Sequence, residues 1–288
     1  MNTHFETLAK PSMTVLMAAV MAVPAWSQVN YSDFIHSGGE MTSYSKPAVY
    51  ERRFVPGPSL READVKYSKR IVRCIDTRQK MNKQLEWPRQ PLSGVLRNGL
   101  MEGSIVPYRN DSMSSAYTVT GIRDRLGYWK VVSISVNPED PEETIDTSIW
   151  IEYDFSKIHK YWIMEDWIFD YKHSKFSPKI IGLAPVYRPE LETLVGNEQP
   201  MCWIRMDDIR QTLANTEMFN RYNDAARLSY DDFFQMRIFD SYIVYESNVF
   251  DNYISQFEEY ENDQVAALLK SDAVKNDLFI FEHDLWQF

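Results

Sequence analysis

The chain has 288 residues, 44% of them hydrophobic and 14% aromatic, which is enough to bury a sizeable core in one or two domains and excludes an intrinsically disordered protein. Its 41 acidic and 31 basic residues leave a formal net charge of -10, the wrong sign for a partner built on phosphate backbones, so no nucleic acid is expected. Ten glycines are too few for a rich phosphate cradle, and two cysteines without clustered histidines do not make a metal site.

The charge is unevenly spread. Residues 51–100 hold 12 Lys/Arg against 5 Asp/Glu, a balance of +7, whereas 189–288 hold 7 against 20, a balance of -13. Two readings follow: two solvated faces, or a basic front of one copy meeting the acidic back of the next in a head-to-tail contact that closes into a ring.

Residues 1–27 read as a secretory signal peptide. The run from Met13 to Val23 is apolar except for Thr14, and it is shorter than the roughly 20 residues a membrane-spanning helix needs. Ala25 and Ser27 offer cleavage before Gln28, with cleavage before Trp26 as the alternative. No cysteine stands there to accept a lipid, so the mature protein is expected to be soluble in an extracytoplasmic space. Residues 28–58, rich in Ser, Gly, Pro and Tyr, read as an extended arm or linker.

At Ser59 the pattern S-L-R-E resembles a capping box closed by Glu62. Tyr67, Ile71, Cys74 and Ile75 recur at helical spacing, which predicts a basic helix over 60–82 carrying Lys66, Lys69, Arg70, Arg73 and Arg78. A short second helix follows in LSGVLRNGLMEG. Alternation in SAYTVTGI and YWKVVSISV predicts strands, and NPEDPEET reads as an exposed acidic loop. Two stronger strands are expected at KYWIMEDWIFDY from Lys160 and SPKIIGLAPVYRP from Ser177, joined by KHSKF. Their apolar residues fall on both faces, as in a sheet covered on two sides. Cys74 on its helix and Cys202 in the short strand MCWI are either one disulfide or two buried thiols.

Beyond MCWI the chain reads as helical. Asp207 is placed to cap DIRQTLAN, and Ser229 with Asp232 makes a capping box before FFQMRIF. The last helix is expected from Asp272, with Val274, Leu278, Phe281, Leu285 and Phe288 stepping by 4, 3, 4 and 3 as one apolar stripe. Phe279 and Trp286 lie off that stripe, as a second surface requires.

Nucleophile elbows, phosphate loops, HExxH, CxxC and calcium-loop spacings do not occur in the sequence, so no catalytic, cofactor or metal residue is assigned. His283 between Glu282 and Asp284 cannot converge with its helix neighbours. The pairs Asp207/Asp208 and Asp231/Asp232 sit at helix starts, where carboxylates offset the helix dipole; facing one cleft, they would instead suit glycoside hydrolysis. The aromatic content fits either a glycan or a protein partner.

Several stretches agree in order and spacing with one family. READVKYSKRIVRCIDTRQKMNKQLEWP, EDWIFDYKHSKFSPKIIGLAPV, NTEMFNRYNDAARLSYDDFFQMRIFDSYIVYESNVFDNYI and FEHDLWQF resemble the gliding-motility family GldN, also called PorN, over roughly 58–92 and 160–288. Residues 28–57 and 104–159 carry no such likeness. The resemblance implies an exported protein of the Bacteroidetes type IX secretion system, with no catalytic activity or cofactor. It implies rings in the periplasm, held at the outer membrane by a GldK/PorK-like lipoprotein and in contact with the periplasmic part of a GldM/PorM-like motor protein.

The combined expectation is an α+β fold: a small, mostly antiparallel sheet with packed helices, a helical C-terminal region and an extended N-terminal arm. Its parts are a signal peptide (1–27), an arm (28–58) and a GldN/PorN-like domain (59–288). The interface candidates are Arg70, Arg73, Arg78, Phe279 and Trp286. The rival class is a secreted glycan-binding or glycan-hydrolysing domain.

Overall fold

Residues expected to form the basic helix form a strand instead. In a computed structural model, which describes residues 52–285 except 58, 138–139, 188–189, 192–193, 196–197, 224 and 262, Val65–Asp76 is strand β1. Only a single 3-10 turn, Glu62–Asp64, precedes it, and no side chain caps that turn. The reason is burial. From Ile71 to Ile75 every residue is buried, so β1 carries apolar side chains on both faces and loses the alternation that marks a half-exposed strand. Tyr67, Ile71 and Ile75 fit helical spacing and strand alternation equally, and the sheet decides between them.

The remaining strands are β2 (Pro107–Tyr108), β3 (Gly127–Asn137), β4 (Asp140–Glu152), β5 (Lys160–Asp170), β6 (Lys175–Tyr187), β7 (Glu190–Leu191), β8 (Leu194–Val195), β9 (Gln199–Pro200), β10 (Trp203–Arg205), β11 (Glu217–Met218), β12 (Leu228–Ser229) and β13 (Tyr242–Glu246). The α-helices are α1 (Leu92–Glu102), α2 (Val119–Arg125), α3 (Met206–Asn215), α4 (Tyr230–Gln235) and α5 (Gln264–Asp284). One sheet runs in the order β13-β1-β5-β6-β10-β2, with β9 also on β6, and every pairing in it is antiparallel. The fold is α+β.

Other expectations change as well, and the region beyond MCWI, read as helical, also holds strands β11, β12 and β13, the last pairing with β1. SAYTVTGI holds no strand: Thr118 accepts the Gly121 amide at 3.2 Å and so starts α2. Most of the acidic stretch NPEDPEET belongs to β4, which pairs with β3 as a long separate hairpin. Its base is tight, because a side chain at Gly127 would stand 2.5 Å from the Ile151 carbonyl oxygen. The expected strands at β5 and β6, the helix α1 and the capping box at Ser229 are present; Ser229 accepts the Asp232 amide at 3.1 Å and Asp232 accepts the Ser229 amide at 3.1 Å. Helix α3 starts at Met206 with Arg205 at its cap, so Asp207 sits in the first turn rather than capping it.

Three clusters make the core. On one face of the sheet, Ile75, Tyr161, Ile163, Leu183 and Ile204 pack under α1, α3 and α4 through Leu96, Ile209, Phe233 and Phe234. On the opposite face Val72, Cys74, Trp162, Met164, Ala184 and Trp203 gather with Tyr108, Tyr245 and Tyr253 from loops and the edge strand. The third cluster is built by α5, whose Val274 and Leu278 pack with Ile71, Phe176 and Ile243. Cys74 and Cys202 are free, buried thiols in different clusters, so they form no disulfide. Burial pushes their pKa values up, to about 11 and about 12.

Candidate functional site

The candidate site is a set of surfaces, and the buried charges explain which side chains are left for it. Arg70 and Arg73 are three residues apart on a strand and therefore point to opposite faces. Arg70 is half-exposed and forks onto Asp166 at 2.9 and 3.1 Å, and that hydrogen-bonded partner raises its pKa. Arg73 is 6% exposed and offers no contact surface to another molecule. It donates to Glu165 Oε2 at 3.1 Å, and Arg237 approaches Glu165 Oε1 to 2.7 Å. Trp167 adds an Nε1 donor at 3.2 Å to the same carboxylate.

Glu165, fully buried on the central strand β5, is thus a carboxylate between two guanidinium groups. It divides the helix-covered face into the large cluster beyond Ile75 and the α5 cluster around Ile71. Burial pulls the pKa of Arg73 down, and Glu165 opposes that pull. This triad is structural chemistry: all three charges are spent on each other.

Other charges are treated alike. Arg78 is exposed and forks onto Asp76 at 2.9 and 2.6 Å, which draws the Asp76 carboxyl below its ordinary range. Arg97 pairs with Glu152 and ties α1 to the hairpin base, and Lys69 pairs with Glu246 across the edge strand. Arg52 pairs with Asp232 at 3.1 Å. At least six of the twelve basic residues in 51–100 are therefore matched within one copy, and two of their partners come from the acidic back. The front-to-back asymmetry is partly answered inside the chain.

Asp231 and Asp232 both border the cleft beside α3 and α4, but each carboxylate is already engaged within the chain. Asp231 is buried against Arg210 at 2.9 and 3.1 Å, whereas Asp232 turns to Ser229 and Arg52. Asp207 and Asp208 are exposed in the first turn of α3. The cleft of about 300 Å³ beside α3 and α4 is walled on one side by residues 52–55, which the helices hold by their main chain. Gln211 donates to the Arg52 carbonyl at 2.9 Å, Arg210 donates to the Val55 carbonyl at 2.8 Å, and the Arg210 guanidinium stacks over Phe54 at 4.8 Å. The end of the predicted arm is thus docked. Among the described residues no group of three or more His, Cys, Asp and Glu could hold a metal, and no helix is long and apolar enough to cross a membrane.

An aromatic glycan platform needs open ring faces. Trp162 and Trp203 are buried and Trp87, Trp150 and Trp167 are half-buried, and the exposed rings of Tyr128, Tyr171 and Tyr222 lie on separate elements. Exposed apolar side chains such as Val55, Val131 and Met236 are scattered over the described surface, and two sets are grouped. Val249 and Phe250 stand 97% and 74% exposed at the tip of a loop built by Asn248. The Asn248 amide donates to the Glu246 and Asn252 carbonyls at 2.8 Å each and accepts from the Phe250 and Asn252 amides at 3.0 and 3.2 Å.

Helix α5 holds the other exposed set. Phe279 is exposed as its position off the stripe predicts, and Trp286 lies outside the described residues, as does Phe288. Val274 and Leu278 of the stripe are buried, and Phe281 and Leu285 pack against them, with Phe281 stacked on Tyr67 at 4.5 Å. The helix begins eight residues before Asp272, because Asp263 accepts the Val265 and Ala266 amides at 2.9 and 3.1 Å. The two extra turns expose Val265, Leu268 and Leu269, which the sequence reading missed; the signal was Asp263 and Gln264 ahead of the apolar run VAALL.

The architecture defines an α+β protein whose buried charges Arg73, Glu165, Arg210 and Asp231 pair with charges of the same chain and whose exposed apolar residues include a loop tip and one face of a helix, features that suit a binding or assembly component. The chain belongs to the GldN family, described as gliding motility associated protein GldN, whose model matches residues 60–287. That match spans 104–159, where no likeness was legible in the sequence. The curated proteins compared with the chain yield no match.

Proposed function

We propose that this chain is a non-enzymatic structural subunit of the periplasmic ring of the type IX secretion and gliding machinery. It assembles with an outer-membrane lipoprotein of the GldK/PorK kind and contacts a periplasmic motor protein of the GldM/PorM kind. The observation that carries the proposal is the family match over 60–287 to a gliding-motility protein. The exposed apolar residues Val249, Phe250 and Phe279 support it, since a ring subunit needs surfaces that only a neighbour covers. Arg70 and Arg78 are the charged members of the contact; Arg73 serves the fold.

The test is co-purification of the tagged chain from native membranes, followed by electron microscopy. The expected result is recovery in the outer-membrane fraction with a lipoprotein, as rings. Recovery only as a free monomer, with secretion and gliding intact after deletion, defeats the proposal.

A further inference from the structure

Helix α5 carries two apolar faces. The inner one, Ser271, Val274 and Leu278, is buried; Ser271 Oγ even accepts the Ile243 amide of edge strand β13 at 2.7 Å. The outer one is opposite. At about 100° per residue, Val265, Leu268, Leu269, Phe279 and Ile280 fall within an arc of about 120°. They are 67%, 51%, 64%, 67% and 54% exposed. A surface helix that packs on its own sheet needs only the first stripe.

The order along the outer face identifies its occupant. Apolar residues stand at both ends, and between them come Asp272, Lys275 and Asn276, all exposed. We infer that this face is the seam of a two-fold pair, in which α5 of a second copy of this chain packs antiparallel with the axis between Ala273 and Val274.

In that register Leu268 faces the partner's Phe279, and Asp272 faces the partner's Lys275, each contact occurring twice. Val265 and Leu269 extend the apolar ends toward the partner's Ile280. A parallel pair would set Asp272 against the partner's Asp272 and Lys275 against the partner's Lys275, which like charges oppose. An unrelated partner has no reason to match the sequence apolar, acid, base, apolar read in both directions; a reversed copy of the same helix does. The contact is isologous and leaves Arg70, Arg78 and the Val249–Phe250 tip for other neighbours. It does not depend on the ring reading, because the isolated chain tests it.

The full-length chain is followed by sedimentation velocity over a concentration series. Wild type is expected to pass reversibly from monomer to dimer, and Leu268→Glu or Phe279→Glu to remain monomeric with an unchanged thermal melt. Asp272→Lys and Lys275→Asp should each weaken the dimer at least tenfold, and the double exchange should restore it.

Cysteine pairing fixes the direction. Leu268→Cys mixed with Phe279→Cys should give a disulfide-linked dimer. The same two positions in one chain are about 16 Å apart along the helix and cannot join. A monomer at every concentration, Leu268→Cys linking to itself, or a double charge exchange no better than the singles overturns the inference.

Discussion

Strand β1 and helix α5 carry apolar residues at the same 3–4 spacing, and only one of them is a helix. In β1 the positions Tyr67, Ile71, Cys74 and Ile75 are shared among three core clusters on two faces of a sheet. In α5 the positions Val274, Leu278, Phe281 and Leu285 all enter one cluster. Spacing reports a helix only when a single neighbour receives the stripe. A central strand covered on both sides presents apolar residues at nearly every position, and any period can be picked from them.

The sharpest way to break this comparison is at Arg73. Replacing it with alanine strands Glu165 beside Arg237 alone in the core, and the expected loss is about 3–5 kcal/mol in urea unfolding. Arg70→Ala, on the other face of the same strand, should cost at most about 1 kcal/mol, because a half-exposed ion pair is screened by water. Equal losses would mean that Arg70 is as enclosed as Arg73, although it lies on the exposed first half of β1.

Helix α5 gives the next contrast. Leu278→Ala should cost about 2–5 kcal/mol by leaving a cavity against Ile71 and Ile243. Phe279→Ala, one residue on, should leave stability within about 0.5 kcal/mol. The same denaturation series reads both, and a large loss at Phe279 would place it in the core.

Smaller effects test where each element begins. Asp263→Ala removes the cap of α5 and should cost about 1 kcal/mol, whereas Ser59→Ala, which caps nothing in the described structure, should be neutral. If Ser59 proves the costlier site, the helical reading of the basic segment returns.

The smallest effect is a pH dependence at the end of β1. Hydrogen bonding to Arg78 holds the folded pKa of Asp76 below its unfolded value. Its contribution to stability is therefore complete above the ordinary carboxylate range and lost as pH falls through that range and below it. Asp76→Asn should remove that part of the acid slope, measured by unfolding at a series of pH values. An unchanged slope would show that the Arg78 fork does not form in solution.

Much of the fold was legible. Strands β5 and β6 announce themselves as two runs joined by the polar KHSKF, where Asp170 accepts the Lys172 amide at 2.9 Å to make the turn. The Ser229 capping box is a purely local device, satisfied by neighbours in sequence, and it is present as read. The site was half legible. Phe279 could be set off the buried stripe by counting, but the outer face at Val265, Leu268 and Leu269 was hidden by a helix start placed at Asp272. Arg70 and Arg73 look alike in sequence, and no local rule says that one meets water and the other meets Glu165, 92 residues away.

The sequence by itself determined the elements whose hydrogen bonds and turns close within a few residues: the β5–β6 hairpin, the cap of α4, and the apolar stripe of α5. It also determined the family, through stretches that need no structure to be compared. Only the tertiary structure decided that the basic segment is a central strand, that most of its charge is matched at home, and that α5 has a second apolar face. Those outcomes depend on what covers each side of an element, and covering is a long-range property: Glu165, Arg237 and Ser271 lie far along the chain from the residues whose fate they settle.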